Sequence, residues 1–474
     1  MALSNDAAAD GGSARRMSFH GAAVFCTVLL FFFVSGACGL LYQVVWTRKL
    51  VLLFGTTSYA VSTVLTIFFL GLGLGSLWGG RIADKSPRPL FVYGAFEIVI
   101  GLWALAFILL VDHGEAAVVG VLRAAASARP VGIALRALLS LAFLIVPVTL
   151  MGATLPLLAR FVGTDARARG LRIGALYSLN TFGAVAGCAL TGFVLVAALG
   201  YTRATLLGAV ANLAVGGLAI LLSRQSGTAV EAPGAAAPGA AAPEKAAGDG
   251  EPAVLPGWVV WMVVGAFAVS GMCALAFEVL WTRMLVIVFL GTTYAFTTML
   301  TSLLCGIAAG SSFASAIIDR RRHPVALLGV VELLIGLSCL AMLAAFAWLP
   351  ERAADMQREA GFEWSGVVYG KFLLSFAVLF VPTFLSGMTF PIVVRIVAAS
   401  RLRLGRDIGK LYSANTFGGV VGALLGGYVL IPLWGTQQGV VVLSLLLFAV
   451  GVALVLACPS MKPAGKGSLL ALVL

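Results

Sequence analysis

Charged residues are scarce in this sequence. Asp, Glu, Lys and Arg make up 11% of its 474 residues, whereas soluble domains average roughly 25%. Hydrophobic residues make up 61%, and the mean hydropathy is +1.06. These values exclude an ordinary soluble protein and predict a polytopic membrane protein.

Histidine is also scarce, and the cysteines form no recognisable framework. His20, His113 and His323 stand far apart, so they predict neither a zinc site nor a catalytic triad. The seven cysteines, an odd number, lie mostly in apolar runs, where thiols usually behave as small buried hydrophobic groups. We therefore expect no disulfide framework, no metal site and no cofactor.

What the sequence does contain is an internal duplication. The segment Ser35-Gly36-Ala37-Cys38 recurs as Ser270-Gly271-Met272-Cys273, 235 residues later. The same offset pairs Glu97 with Glu332, Pro147 with Pro382, Tyr177 with Tyr412, and Gly200 with Gly435. One offset that holds through loops and apolar segments alike indicates a repeated structural unit.

Each repeat contains six segments long enough to cross the hydrocarbon core as helices. They lie near 22–46, 51–78, 90–111, 133–159, 173–199 and 202–223, and again near 258–281, 286–315, 325–349, 369–394, 408–434 and 437–457. An even number of crossings gives both repeats the same orientation, as in major-facilitator transporters. We therefore predict an all-α fold of 12 transmembrane helices in two parallel six-helix repeats.

Five regions follow from this pattern. They are an N-terminal tail (1–20), the first repeat (21–224), a linker (225–256), the second repeat (257–458) and a C-terminal tail (459–474). The linker is rich in Ala, Pro and Gly, a composition that cannot bury enough apolar surface to become ordered.

The basic residues predict the orientation. The predicted loops and tails on the side of both termini hold 21 of the 31 Lys and Arg residues, which by the positive-inside rule makes that side cytoplasmic. We expect a multi-pass protein of the bacterial inner membrane, with lipid and not nucleic acid around it.

Carboxylates inside the spans are the first candidates for function, because charge there is costly and usually retained for a purpose. Glu97 and Glu332 are repeat mates, whereas Glu278 corresponds to Gln43. Glu278 lies on the seventh span, which would line a facilitator cavity, so these four residues form our candidate substrate or proton site. For Glu278 an interhelical hydrogen bond near the membrane surface stays open, and for Glu97 and Glu332 a structural pairing.

A second group of candidates concerns gating. Arg81 and Asp84 follow Gly79-Gly80 in a loop that resembles the signature loop of the major facilitator superfamily, and Asp319 and Arg320 occupy the equivalent loop. A charge cluster that only sets topology is the alternative.

Two spans contain pairs of prolines, Pro147 with Pro156 and Pro382 with Pro391. Proline removes a backbone donor and tends to kink or interrupt a helix. We expect flexing, cavity-lining helices; kinks that only fit the packing are the alternative.

Polar residues open the fifth and eleventh spans. Tyr177 and Asn180 stand three residues apart on one helical face, and Tyr412 and Asn415 repeat them. We expect these residues to form hydrogen bonds between helices.

Four motifs in order resemble a known family. They are Ser35–Arg48, Gly80–Asp84, Met151–Pro156 and Tyr177–Gly183, and they are similar to the membrane region of the fused facilitator/spermidine-synthase-like proteins. Such proteins commonly carry a soluble aminopropyltransferase-like domain with a glycine-rich nucleotide site. The sequence contains no strand followed by such a loop, so the resemblance does not imply an enzyme.

Two functions follow as expectations. The first is secondary transport of a small cationic or polyamine-type solute by alternating access, with polyamines suggested by the family. The second is a non-transporting membrane module that anchors or partners a separately encoded spermidine-synthase-like or other soluble enzyme. The apolar spans also permit a handler of lipid-linked substrates.

Overall fold

The fold is described from a computed structural model, which covers residues 6–54, 58–124, 129–162, 169–225, 255–289, 292–318, 323–359, 364–398 and 404–473, with side chains from Ala22 onward. The predicted linker at 225–256 falls almost wholly outside these residues. The described part of the chain is helical and contains no strand.

The helices follow the duplication. The first repeat comprises α1 (Asp6–Phe54), α2 (Ser58–Lys85), α3 (Pro89–Ala124), α4 (Arg129–Val162), α5 (Arg169–Leu190) and α6 (Val196–Gln225). The second comprises α7 (Gly257–Phe289), α8 (Thr292–Ile317), α9 (Pro324–Glu359), α10 (Trp364–Ala398), α11 (Leu404–Leu424) and α12 (Ile431–Ala457), followed by a short α13 (Pro463–Val473). A π-helical turn joins α5 to α6 (Thr191–Leu195) and α11 to α12 (Leu425–Leu430).

Ten helical segments of the described chain are long and apolar enough to cross a membrane. Two of them, Ala175–Gln225 and Ser413–Ala457, have 51 and 45 residues; at 1.5 Å per residue each would reach about 70 Å as a straight helix, over twice the hydrocarbon thickness. The all-α, polytopic fold is confirmed. The count of twelve spans stays a prediction, as does the orientation of the termini.

A glycine interrupts each of the two long segments. Gly200 and Gly435 have φ of +75° and +74°, a backbone region that only glycine adopts without steric cost. Gly187 packs on the backbone of Ala37, and the carbonyl of Gly208 accepts from the Cys38 thiol. Two positions 21 residues apart therefore meet adjacent residues of α1, so the chain folds back near Gly200.

The two repeats pack in the same way. In each, the first helix packs on the fifth, the second on the fourth and the third on the sixth. The repeats meet each other along two interfaces, α5 with α8 and α2 with α11. These contacts join the halves of the molecule. A movement of one half against the other would change them.

The helices α4 and α10 are continuous through Pro147, Pro156, Pro382 and Pro391, and the flexing of these helices stays a prediction. At Pro147 the structure shows a compensating contact. The indole Nε1 of Trp103 donates to the carbonyl of Phe143 at 2.9 Å, and this carbonyl lies four residues before the proline that cannot bond to it. The interruptions occur at the π-helical turns and at Gly200 and Gly435.

Candidate functional site

Glu97 of α3 is a fully buried carboxylate with partners. One oxygen accepts from the Ser35 hydroxyl at 2.6 Å and the other from the Asn212 amide, whose own oxygen accepts from the Tyr42 hydroxyl at 2.7 Å. These partners belong to α1 and α6. The network therefore joins three helices within the first half.

Glu332 of α9 occupies the equivalent place and is also fully buried, but its surroundings differ. The positions that correspond to Tyr42 and Asn212 hold Phe277 and Leu447. Ser270, the mate of Ser35, lies beside Glu332, but neither Glu332 oxygen has a hydrogen bond of good geometry to a described residue. The sequence predicted the same role for Glu97 and Glu332, but the structure places them in different environments.

Glu278 is the third buried carboxylate. It lies 11 residues before the end of α7 at Phe289, which corresponds to about 16 Å of helix. The residue is fully buried, and neither carboxyl oxygen has a hydrogen-bond partner among the described residues. Gln43, its mate on α1, is buried as well.

Glu278 acts electrostatically on the thiol of Cys188 of the other half, and its helix, α7, packs against α2 of that half. The Thr301 hydroxyl of α8 donates to Cys188 Sγ at 3.4 Å, and this thiol approaches the carbonyl of Thr297 at 3.9 Å. The helices α5 and α8 therefore meet at Cys188. The contacts cross from the first half of the molecule to the second.

Unpaired hydroxyl groups accumulate at the same place. Thr297 and Thr298 of α8 and Thr191 of the first π-helical turn are fully buried, and no described residue bonds to their side-chain oxygens. The side chain of Thr297 packs against Gly192, where a larger residue would clash. We call the following residues the α5–α8 polar cluster: Cys188, Thr191, Glu278, Thr297, Thr298 and Thr301.

The hydroxyl-bearing part of this cluster was missed by the sequence analysis. A signal exists in the run Thr297-Thr298-Met299-Leu300-Thr301-Ser302, which places four hydroxyls within an otherwise apolar span. Threonine and serine in membrane helices most often bond between or along helices, and Ser302 does so by donating to the Thr298 carbonyl at 2.7 Å. Only the packing shows which of the four are left without a partner.

The α2–α11 interface is the equivalent of the α5–α8 interface in the duplicated chain, and its polar residues differ. Thr63, the mate of Thr298, shares a hydrogen bond of 2.6 Å with the hydroxyl of Tyr428. The mate of Tyr428 is Phe193, which has no hydroxyl to offer Thr298. The positions equivalent to Cys188 and Thr191 are Ala423 and Gly426, so this interface is less polar at these positions. Ser62 and Thr66, the mates of Thr297 and Thr301, have no described partner for their hydroxyls.

The predicted interhelical residues contact neighbouring helices. The Asn180 amide donates to the Phe32 carbonyl at 3.1 Å, and the Asn415 amide donates to the Phe267 carbonyl at 3.0 Å. Tyr177 stacks on Phe390 of α10 with ring centroids 6.5 Å apart. The side chain of Tyr412 lies outside the described part of the structure.

The gating candidates lie away from this cluster or outside the described residues. Arg81 and Asp84 are exposed near the end of α2. Asp319 and Arg320 fall in the gap between α8 and α9 that the structure does not describe. Their role stays a prediction.

Two basic residues inside helices were also missed. Lys371 of α10 is buried, with an exposed fraction of 6%, and its ammonium donates to the Gln357 side chain at 3.3 Å. Its mate is Arg136 of α4. Both stand seven residues after the start of their helix, about 10 Å from its end and well removed along the chain from Glu278.

Two solved structures share this architecture. One is an auto-inhibited peptide transporter of the POT family, with a TM-score of 0.57 and 13% identity over 92% of this chain and 97% of that one. The other is a bacterial homologue of the iron transporter ferroportin in an inward-facing state, with a TM-score of 0.59 and 16% identity over 91% of this chain and 98% of that one. No family model and no curated protein matches the sequence. The chain therefore has the fold of major-facilitator-type transporters.

Proposed function

We propose that the protein is a secondary transporter that moves a small solute by alternating access, with the α5–α8 polar cluster as its central site. One observation carries the proposal: Glu278 is a fully buried carboxylate without a described partner, and it belongs to α7, a helix that packs against α2 of the first half. An ionised carboxylate in such a place costs several kcal/mol unless a positive charge compensates it. Such a cost is retained where the group binds a proton or a cation.

The position of the cluster supports alternating access. In transporters built from two repeats, one half rocks against the other around a site near the middle of the membrane. Here Cys188 and Thr191 come from the first half and Glu278, Thr297 and Thr301 from the second. Rocking would change the distances between these groups, so occupancy of the cluster and the position of the halves would be coupled.

The charges of the cluster bear on the solute. Of the three buried carboxylates, Glu97 is engaged by partners within the first half, and Glu332 lies inside the second half. Glu278 is left as the one carboxylate of the described cluster. A single negative charge compensates a single positive charge, so we propose a small monocation as the bound species, in preference to a polyamine with two or more charges.

The test is flux into proteoliposomes that contain the purified full chain, under imposed proton or sodium gradients. The panel comprises putrescine, spermidine, small monoamines and amino acids, with empty liposomes as the control. We expect gradient-driven uptake of at least one singly charged solute by the wild type, and loss of that uptake in Glu278→Gln. Correctly inserted, folded protein that moves no solute would refute the transporter, and uptake of spermidine alone would refute the monocation. The predicted soluble enzyme partner stays a prediction.

A further inference from the structure

We propose that two pairs of aromatic side chains form a gate that closes one end of the molecule during transport. The pairs are Tyr59 with Tyr428 and Tyr294 with Phe193, and we call them the aromatic gate. They lie at the end where α1 passes to α2 and α7 to α8, which the distribution of basic residues predicts to be extracytoplasmic. The inference rests on the proposed function, because a gate has a task only in a protein that moves a solute.

Each pair joins the first half of the molecule to the second. Tyr59, near the start of α2, packs on Tyr428 with ring centroids 5.0 Å apart. Tyr294, near the start of α8, stacks on Phe193 with ring centroids 6.1 Å apart. Aromatic rings at such distances attract each other beyond the effect of their burial. The two pairs therefore hold the halves together at this end of the molecule.

The two pairs are copies of each other under the duplication. The offset of 235 residues relates Tyr59 to Tyr294 and Phe193 to Tyr428. Phe193 and Tyr428 belong to the two π-helical turns, and such turns are rare and often lie at functional sites. These turns contact α8 and α2 of the opposite half. Rocking of one half against the other therefore has to separate or rearrange both pairs.

A glycine break follows each gate ring of the π-helical turns. Gly200 and Gly435 come seven residues after Phe193 and Tyr428, and both have a positive φ, which only glycine adopts without steric cost. The space in which a Cβ would stand is open at both glycines. Hinges are a few residues that absorb changes of φ and ψ, and these two positions are where the chain turns when the gate opens.

Additional contacts hold each pair in a different way. The Tyr428 hydroxyl shares a hydrogen bond of 2.6 Å with Thr63 of α2. Phe193 meets a third ring, Phe372 of α10, edge to face with centroids 5.0 Å apart, and the mate of Phe372 is Ala137. The two copies of the gate therefore share their placement, and one is held by a hydrogen bond and the other by an additional ring.

The gate stands between the α5–α8 polar cluster and the end of the molecule. Along α8, Tyr294 lies nearer to the helix start than Thr297 and Thr301 of the cluster. In the other half, Phe193 follows Cys188 of the cluster towards the same end. A path from this end to the cluster along the α5–α8 interface therefore passes the rings of Tyr294 and Phe193.

Towards the opposite end of the molecule, α2 and α8 pack on their own halves. Gly75 of α2 lies against the backbone of Thr149 in α4. Gly310 of α8 lies against the backbone of Phe384 in α10. The contacts that bridge the halves through α2 and α8 therefore favour the end at which the aromatic gate stands.

The experiment links each gate pair covalently in the full chain and measures uptake before and after. The variants are Tyr59→Cys with Tyr428→Cys, and Phe193→Cys with Tyr294→Cys. In proteoliposomes they are treated with a bifunctional methanethiosulfonate, whose disulfide links a reductant later cleaves, and mass spectrometry identifies the linked peptides. We expect each link to reduce uptake of putrescine, spermidine, monoamines and amino acids to the level of empty liposomes, and the reductant to restore it.

The matched control is a pair of rings within one half. Trp78 of α2 and Phe96 of α3 stack with centroids 5.9 Å apart, and a link in Trp78→Cys with Phe96→Cys should leave uptake unchanged. The wild type treated with the same reagent controls for the native cysteines.

A second measurement covers the case in which a cysteine pair fails to fold. Tyr294→Ala removes one gate ring, and mass spectrometry follows the labelling of Cys188 by a small thiol reagent in detergent. We expect labelling about 2–10-fold faster than in the wild type, the factor that corresponds to the loss of one aromatic pair, and no change in Trp78→Ala. An unchanged rate in folded Tyr294→Ala would overturn the proposal.

The outcomes separate this inference from the proposed function. Uptake that stops with the link and returns with the reductant supports both. Uptake that continues with the link in place keeps the transporter and overturns the gate, and so does a folded variant whose two cysteines the reagent cannot join. A wild type that moves no solute refutes the transporter, and the gate with it.

Discussion

The α5–α8 and α2–α11 interfaces occupy equivalent places in the duplicated chain, but they differ in how their polar groups are satisfied. At α2–α11, Thr63 and Tyr428 share a hydrogen bond. At α5–α8, the corresponding pair is Thr298 and Phe193, and the threonine hydroxyl has no described partner. The same position of the repeat therefore carries a paired threonine on one side, Thr63, and an unpaired one on the other, Thr298.

A similar divergence separates the buried carboxylates within the halves. Glu97 is bonded by Ser35 and Asn212, whereas Glu332 has lost the equivalents of Asn212 and Tyr42. Duplication gives each contact two copies. Where one repeat keeps a stabilising contact, the equivalent positions of the other repeat can change. The lesson is that the differences between the copies, more than their shared motifs, mark the groups available for binding.

The largest effect is expected from moving the acid to the other copy. The double variant Gln43→Glu with Glu278→Gln keeps the composition and exchanges the two mates. We expect flux to fall by about 100-fold, because the positions equivalent to Thr191 and Cys188 hold Gly426 and Ala423. Proteoliposome uptake measures this, and near-wild-type uptake would show that the two interfaces are interchangeable.

The next effect distinguishes the two carboxylates that are mates. Glu97→Leu should destabilise the protein by about 3 kcal/mol, since Asn212 and Ser35 would be left with buried, unpaired groups. Glu332→Leu removes an unpartnered acid and should cost far less or stabilise. Thermal unfolding of both variants in the same detergent compares them; equal losses would contradict the difference in pairing.

A smaller effect is expected from exchanging the aromatic pair. Tyr428→Phe removes the partner of Thr63 and should cost about 1 kcal/mol. Phe193→Tyr offers Thr298 a hydroxyl and should stabilise the protein by a similar amount. The unfolding midpoints of both variants in the same detergent test this; a Phe193→Tyr variant no more stable than the wild type would show that Thr298 does not lack a partner.

The smallest effect concerns the proline helix of the first half. Trp103→Phe removes the donor to the Phe143 carbonyl and should destabilise by about 1 kcal/mol. Ser338, the mate of Trp103, bonds within its own helix to the Ile335 carbonyl, so Ser338→Ala should be nearly neutral. If both changes cost the same, the indole contact does not compensate for Pro147.

The sequence predicted the fold because the relevant signals are local or periodic. Low charge, apolar segments of spanning length and a single offset of 235 residues are enough to predict a duplicated, all-helical membrane protein. Glu278 also stood out from the sequence, because its mate Gln43 differs from it. Such a comparison requires no knowledge of which helices touch.

The rest depends on contacts between distant segments. Glu97 and Asn212 are 115 residues apart, and Cys188 meets Thr301 across 113 residues and from the other half. The periodicity of hydrophobic residues in the sequence does not indicate which distant residues form such pairs. The π-helical turns at Thr191 and Leu425 depend on how each helix is packed.

The most direct test of the central claim compares Glu278→Gln with Glu332→Gln in the same flux assay. Both substitutions replace a fully buried acid, but Glu278 belongs to α7, which packs against α2 of the first half, whereas Glu332 belongs to α9, which packs on helices of its own half. The account predicts that Glu278→Gln abolishes gradient-driven uptake and that Glu332→Gln retains it. Equal uptake by the two variants, in protein inserted to the same extent, would contradict the account.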